Sequence, residues 1–199
     1  FGVSYLPAMI ISAIVIVAYT TLGGFLAAST TDFVQSIVMT LAIVVVFGFG
    51  IGKVGSFDAV MENAKSMAGY FSLTQIYDPA TNSAAPYGLL TIFSMLAWGL
   101  GYFGMPHVLL RFMAIEDAKK LKLSRRVATI WVVISMVIAV FIGVVGNAMS
   151  KAGVIPVLDD PETIILVVAD LISRHGFLAA TVAGLILAGI LAATMSTAD

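Results

Sequence analysis

Ala97-Trp98-Gly99-Leu100-Gly101-Tyr102-Phe103-Gly104-Met105-Pro106-His107 lies inside an apolar run from about 87 to 110. Glycine leaves a helix without a side chain to pack, and proline removes an amide proton and clashes with the preceding turn. Gly99, Gly101, Gly104 and Pro106 together predict an unwound or kinked helix. In hydrocarbon, irregular backbone persists only where protein or a water-filled cavity satisfies its polar groups. Broken spans of this kind are where transporters hold their ligands. Trp98, Tyr102 and Pro106 follow at i, i+4 and i+8, so they share one face wherever the helix persists. Two rings beside freed backbone groups suit a small zwitterion with an apolar side. An interfacial aromatic belt with a simple proline kink is the competing reading. Trp98 lies midway along the run, which favours the cavity.

Composition agrees with a membrane setting. The 199 residues are 60% apolar and 11% charged, and the mean hydropathy is +1.07. Soluble domains carry about a quarter charged residues, and disordered chains combine low hydrophobicity with high charge. Both classes are excluded. The net charge is −1 and the basic residues are few and local, so no nucleic-acid partner is expected. Without cysteine there is no disulfide framework and no thiol chemistry. No phosphate loop, zinc-ligand spacing or nucleophile motif supports an enzyme. No basic segment precedes the first apolar run, so no signal peptide is expected. Ser196-Thr197-Ala198-Asp199 interrupts an apolar helix, which suggests an excerpt from a longer polytopic chain.

A bilayer core about 30 Å thick needs roughly 20 apolar residues in a helix. Five stretches meet or approach that length: segments A (5–22), B (33–51), C (87–110), D (126–149) and E (176–197). Lys and Arg gather on the cytoplasmic side of membrane proteins. Arg111, Lys119, Lys120, Lys122, Arg125 and Arg126 crowd the C–D loop against Glu116 and Asp117. The 111–126 loop is therefore expected to be cytoplasmic, with the B–C and D–E loops outside. The alternation closes without conflict on an all-α integral membrane protein of five spans, surrounded by lipid.

The outer loops are expected to carry short helices. Phe57, Val60, Met61, Ala64 and Met67 have the spacing of an amphipathic helix. Pro161 to Ser173 reads as a second one, with Asp160 as N-cap and Pro161 at N1. Either a lid or a packing role fits them. Asp78-Pro79 through Ala85-Pro86 reads as irregular turn. Gly23-Gly24 is expected to end segment A, and Gly48, Gly50, Gly52, Gly143 and Gly146 to allow close helix packing. His175 has no partner visible in the sequence.

Ala193, Ser196 and Thr197 fall at i, i+3 and i+4 and meet on one face of segment E. A backbone carbonyl and two hydroxyls are the hard, neutral oxygens that alkali cations accept. Alternatively, the hydroxyls bond back to carbonyls in the preceding turn. Asp199 adds a carboxylate near the end of this span, a position that is either exposed or functional. Asp32 after Ser29-Thr30-Thr31, with Gln35 three residues on, reads as an N-cap with a capping-box partner for segment B. It reads equally as a negative charge on a cation path, and both roles can coexist.

Three stretches carry a family resemblance. Tyr19-Thr20-Thr21-Leu22-Gly23-Gly24-Phe25-Leu26-Ala27 with Thr31-Asp32-Phe33-Val34-Gln35 resembles the fifth and sixth spans of the sodium/solute symporter family. The Trp98–Gly104 motif with Pro106-His107 and Arg111-Phe112-Met113 is similar to that of the family's proline carriers, and Ala193–Thr197 resembles its sodium-binding helix. The resemblance covers essentially the whole chain. It implies part of a leucine-transporter-like bundle of two inverted five-helix repeats. A and B would end the first repeat, and C, D and E would open the second. It implies sodium-coupled uptake of proline or a similar small solute. Trp98, Tyr102 and Pro106 would then bind substrate, while the Ala193 carbonyl, Ser196 and Thr197 would bind sodium. The remaining ligands would come from other transmembrane helices of the full-length chain. Asp32 matches the family's sensitive acidic position. Asp199 stands where other members often have a small hydroxyl residue, which leaves a further cation site there open. Pantothenate, choline, sialic acid or iodide are alternative cargoes. The symporter-like membrane domain of a sensor protein is an alternative role.

Overall fold

The structure is a computed structural model that describes residues 4–78, 81–102 and 104–198, with the backbone alone at 107 and 198. It divides into two compact units, residues 1–54 with 138–199 and residues 55–137, each taken by itself below.

In the first unit, α1 (Tyr5–Val54) is a 50-residue helical run interrupted at Gly24. Its two arms, 5–23 and 25–54, rise about 28 Å and about 45 Å, so each is about as long as a bilayer core or longer. Gly24 holds φ 58° and ψ −155°, a conformation essentially reserved for glycine. A Cβ there would meet nothing within 4 Å, so the constraint is conformational and not steric. Gly24→Ala is therefore expected to cost about 1–3 kcal/mol. The check is a lower thermal unfolding midpoint for the purified full-length protein, and an unchanged midpoint would argue against the break.

The expected loop between segments A and B does not form. The second arm of α1 begins at Phe25, eight residues before the expected start of B. Thr30 Oγ1 donates to Leu26 O at 2.8 Å and Thr31 Oγ1 to Ala27 O at 2.8 Å. These polar residues satisfy themselves on the preceding turn, so the helix runs through them.

The second arm packs on α7 (Phe177–Ala198), and α6 (Ile164–Ser173) packs on α7 and α1. Val46, Met149, Val168 and Ile186 are fully buried between these helices and the end of α5 (Leu121–Lys151). Close approach depends on two of the expected glycines. A Cβ at Gly50 would stand 2.5 Å from Val145, and one at Gly146 would stand 2.8 Å from Ile164. Gly48, Gly52 and Gly143 have nothing within 4 Å, so they do not serve packing in this way. Asp160 accepts from the Glu162 amide at 3.0 Å, with Pro161 at the head of a short 3-10 turn before α6. That start agrees with the sequence.

The second unit contains α2 (Phe57–Lys65), where Ser56 Oγ accepts from the Ala59 amide at 3.1 Å. Val60, Ala64 and Met67 are buried, as their spacing implies. The stretch read as irregular turn is instead a β-hairpin. Strands β1 (Gln75–Asp78) and β2 (Ser83–Pro86) pair antiparallel, with Tyr77 opposite Ala84. Asn82 adopts φ 50°, and Tyr77 donates to Asn82 Oδ1 at 3.0 Å while Thr81 donates to Asp78 Oδ2 at 2.7 Å. Side-chain bonds across the turn thus hold Ile76 and Tyr77 of β1 against a second strand, Ser83–Pro86, whose composition has little β preference. Tyr70 packs edge-on to Tyr77 at 6.2 Å, and burial holds its hydroxyl above the usual tyrosine range.

Segment C breaks as expected. It forms two helices, α3 (Leu89–Tyr102) and α4 (Pro106–Met113). The 14 residues of α3 rise only about 21 Å. Among the described residues, α1, the 118–151 run and 177–197 are long and apolar enough to cross a membrane. That is three such helices against five expected spans. The difference lies in the fused A and B and the divided C.

Candidate functional site

The second unit holds the aromatic motif. Trp98 and Tyr102 lie one turn apart on α3, with ring centroids 5.8 Å apart and planes tilted by 38°. Trp98 is 72% exposed, an unusual state for the largest apolar side chain. The helix ends directly after them. Gly104 N donates to Gly101 O at 3.1 Å and Met105 N to Tyr102 O at 3.3 Å, closing the last turn. Met105 is then extended, and Pro106 occupies the first turn of α4 without a side-chain cap. Pro106 therefore does not continue the Trp98–Tyr102 face. It sets φ for a new helix whose positive end lies at the break.

The oxygens of segment E come together in the first unit. Ser196 Oγ donates to Ala193 O at 3.1 Å, and Thr197 Oγ1 donates to the same carbonyl at 2.9 Å. Ala193 and Ser196 are half-buried and Thr197 is exposed. Both readings of this triad describe these atoms. With hydroxyl protons turned toward Ala193 O, the helix satisfies itself. With the protons turned away, two hydroxyl oxygens lie within 3.1 Å of the Ala193 carbonyl oxygen, a set of neutral donors of the kind an alkali cation accepts. A complete shell needs further oxygens from elsewhere. Asp199 lies outside the described residues.

Asp32 sits inside the second arm of α1, half-buried and helical. The N-cap reading is thereby corrected, because a cap residue must stand outside the helix it starts. Gln35 does not complete a capping box. Its Oε1 is buried without a hydrogen-bond partner among the described residues.

Sequence reasoning missed two features of the first unit. A hollow of about 430 Å³ is lined by Tyr5, Met9, Ser12, Ile16 and Val17 of α1 and by Thr194 of α7. Nothing in segment A distinguished it from an ordinary span. His175 also has partners. Its Nε2 lies 3.0 Å from Lys53 Nζ, its Nδ1 lies 2.9 Å from Leu171 O, and its ring meets Phe49 edge-on at 5.7 Å. Lys53 and His175 are separated by 122 positions, so only the fold could reveal their contact.

Apolar helices of bilayer length, with one more broken beside paired rings, define a helical membrane protein. The chain belongs to the sodium:solute symporter family, whose family model matches residues 1–199. It is 36% identical over 200 residues to sodium/proline symporter 2 of Staphylococcus saprophyticus, covering 99% of this chain and 35% of that protein. It is also 36% identical over 198 residues to the osmoregulated proline transporter OpuE of Bacillus subtilis, covering 99% and 37%. The sodium/proline symporter of Staphylococcus aureus is 34% identical over 197 residues, covering 99% and 35%. The chain thus spans about a third of the length of these curated relatives. No solved structure matches it significantly.

Proposed function

We propose that the full-length protein is a secondary active transporter of the cell membrane that couples inward sodium flow to uptake of proline or a similar small solute. The observation that carries this reading is that α3 ends at Tyr102, directly after the Trp98–Tyr102 ring pair, and a new helix starts at Pro106. A broken helix offers backbone groups and a positive helix end to the charged part of a zwitterion. The rings offer an apolar wall to the rest of it. Relatives named sodium/proline symporter support both the cation and the cargo.

In this reading the two arms of α1, the α3–α4 pair, α5 and α7 are five spans of an inverted-repeat bundle, with the 111–126 loop cytoplasmic. Leu89, Leu90, Phe93, Leu96 and Trp98 of α3 are between 67 and 85% exposed. Such a surface calls for lipid, a ligand or the other transmembrane helices of the full-length chain. Trp98, Tyr102 and Pro106 flank the substrate. Sodium takes the Ala193 carbonyl, Ser196 and Thr197, and orders α7 against helices supplied elsewhere in the chain. That ordering favours the outward-open, substrate-accepting state. Rocking of one helix bundle against the other then exposes both ligands inside. Coupling follows only if each ligand binds one state better than the other.

Asp32 and Asp199 would add charge to a cation path. Asp32→Asn keeps the size and removes the charge of a residue that does not cap its helix. It is expected to raise the sodium concentration for half-maximal uptake severalfold while the protein still folds. An unaltered sodium dependence in a well-expressed variant would remove Asp32 from the path. The transport reading is tested by uptake of labelled proline into vesicles containing the full-length protein. Accumulation is expected with an inward sodium gradient. Equal accumulation with potassium or choline in place of sodium would overturn the coupling.

A further inference from the structure

We propose that the start of α5 is a binding site for the headgroup phosphate of an anionic phospholipid. It rests on the membrane reading of α5 and not on its cargo. Residues 111–126 carry Arg111, Lys119, Lys120, Lys122, Arg125 and Arg126 against Glu116 and Asp117. Both carboxylates are engaged within the loop. Glu116 accepts from Lys120 Nζ at 2.8 Å, and Asp117 Oδ1 accepts from the Lys119 amide at 2.8 Å. Among the described residues, no ion pair engages Lys122, Arg125 or Arg126. Lys122 and Arg125 line one side of a hollow of about 320 Å³ with Ala118 and Leu121. Leu121, Lys122 and Arg125 lie in the first turns of α5 and Ala118 in the short 3-10 turn before it, so the start of the helix presents two cations beside an apolar floor.

The position along α5 selects the ligand. After Arg126 the next charged residue is Lys151, and the 24 uncharged residues between them rise about 36 Å, enough to cross a bilayer core. Trp131 is exposed near the start of this stretch, at the depth where indoles gather. Lys122 and Arg125 therefore stand at headgroup level. The guanidinium fork of Arg125 matches phosphate oxygens, and Lys122 adds a compact charge beside it. Leu121, Leu123 and Val127 are exposed next to the cations. They give acyl chains a surface that a soluble phosphate would leave bare.

The test uses full-length protein in vesicles containing spin-labelled phosphatidylglycerol or phosphatidylcholine, with neither proline nor an ion gradient. The motionally restricted fraction is expected to favour phosphatidylglycerol severalfold. That preference is expected to fall at least threefold in Lys122→Gln/Arg125→Gln and to persist in Lys53→Gln/Lys65→Gln, which loses the same charge elsewhere. Should the first variant fail to fold, the wild type still decides. Its preference is expected to collapse from about 0.1 to about 1 M salt, where the screening length drops from about 10 to about 3 Å. Equal restriction of both lipids, an undiminished preference in the variant or its persistence at high salt would overturn the site. Displacement of the lipid by millimolar glycerol phosphate would reassign it to soluble phosphates. Failure of sodium-driven uptake would leave these results unchanged, so the two readings fail separately.

Discussion

Ser196→Ala/Thr197→Ala is expected to raise the sodium concentration for half-maximal proline uptake by about a hundredfold, with each single variant near tenfold. A hydrogen-bonding group facing a charge contributes about 1.5–3 kcal/mol, and each 1.4 kcal/mol corresponds to tenfold in affinity. The structure sharpens the comparison, because both hydroxyls donate to the Ala193 carbonyl when they serve only the helix. In that case truncation removes two local bonds, at about 1 kcal/mol each. Thermal stability would fall slightly and the sodium dependence would stay put. Sodium titrations of uptake in the single and double variants separate the two outcomes. Ser196→Thr, which keeps the hydroxyl, is expected to retain most of the sodium affinity.

Trp98→Ala is expected to weaken proline binding by about thirtyfold or more, since large aromatic anchors contribute about 2 kcal/mol or more at binding surfaces. Trp98→Phe keeps a ring and is expected to lose much less. Tyr102→Phe isolates the phenol hydroxyl, while Tyr102→Ala also removes the ring 5.8 Å from Trp98. Proline affinity measured at saturating sodium checks all four. Unchanged affinity in both alanine variants would move the substrate away from this face.

Much of the fold was legible because hydrocarbon punishes exceptions. The glycines and proline of segment C favoured a break over a simple kink, and α3 ends at Tyr102 with α4 starting at Pro106. The 160–173 start was legible for a related reason, since Asp-Pro at a helix start leaves little choice. Where local signals compete, the reading went astray. Ser29-Thr30-Thr31-Asp32 resembles a helix start, yet hydroxyls that bond to the previous turn let the helix continue. The break falls at Gly24, within the Gly23-Gly24 pair expected to end segment A, where φ is positive. The hairpin at 75–86 was hidden because Ala84 and Ala85 have no β preference, and its turn depends on bonds among Tyr77, Asp78, Thr81 and Asn82. The Lys53–His175 contact and the hollow beside Thr194 depend on long-range packing that no periodicity encodes.

The candidate sites were legible as residue sets and not as geometry. Spacing alone brought Ala193, Ser196 and Thr197 to one face, and it paired Trp98 with Tyr102. It placed Pro106 on that same face only where the helix persists, and α3 ends before Pro106.

The central claim is that sodium and the small solute bind one state of the protein together. The most direct measurement is equilibrium binding of labelled proline to the purified full-length protein, in sodium and in potassium at equal ionic strength. Coupling free energies between ligand sites are typically about 1–3 kcal/mol, or about 5- to 150-fold in affinity. We expect proline to bind at least tenfold more tightly in sodium, and this difference to shrink toward unity in Ser196→Ala/Thr197→Ala. Equal affinity in the two salts, with binding still dependent on Trp98, would contradict coupling while keeping the solute site.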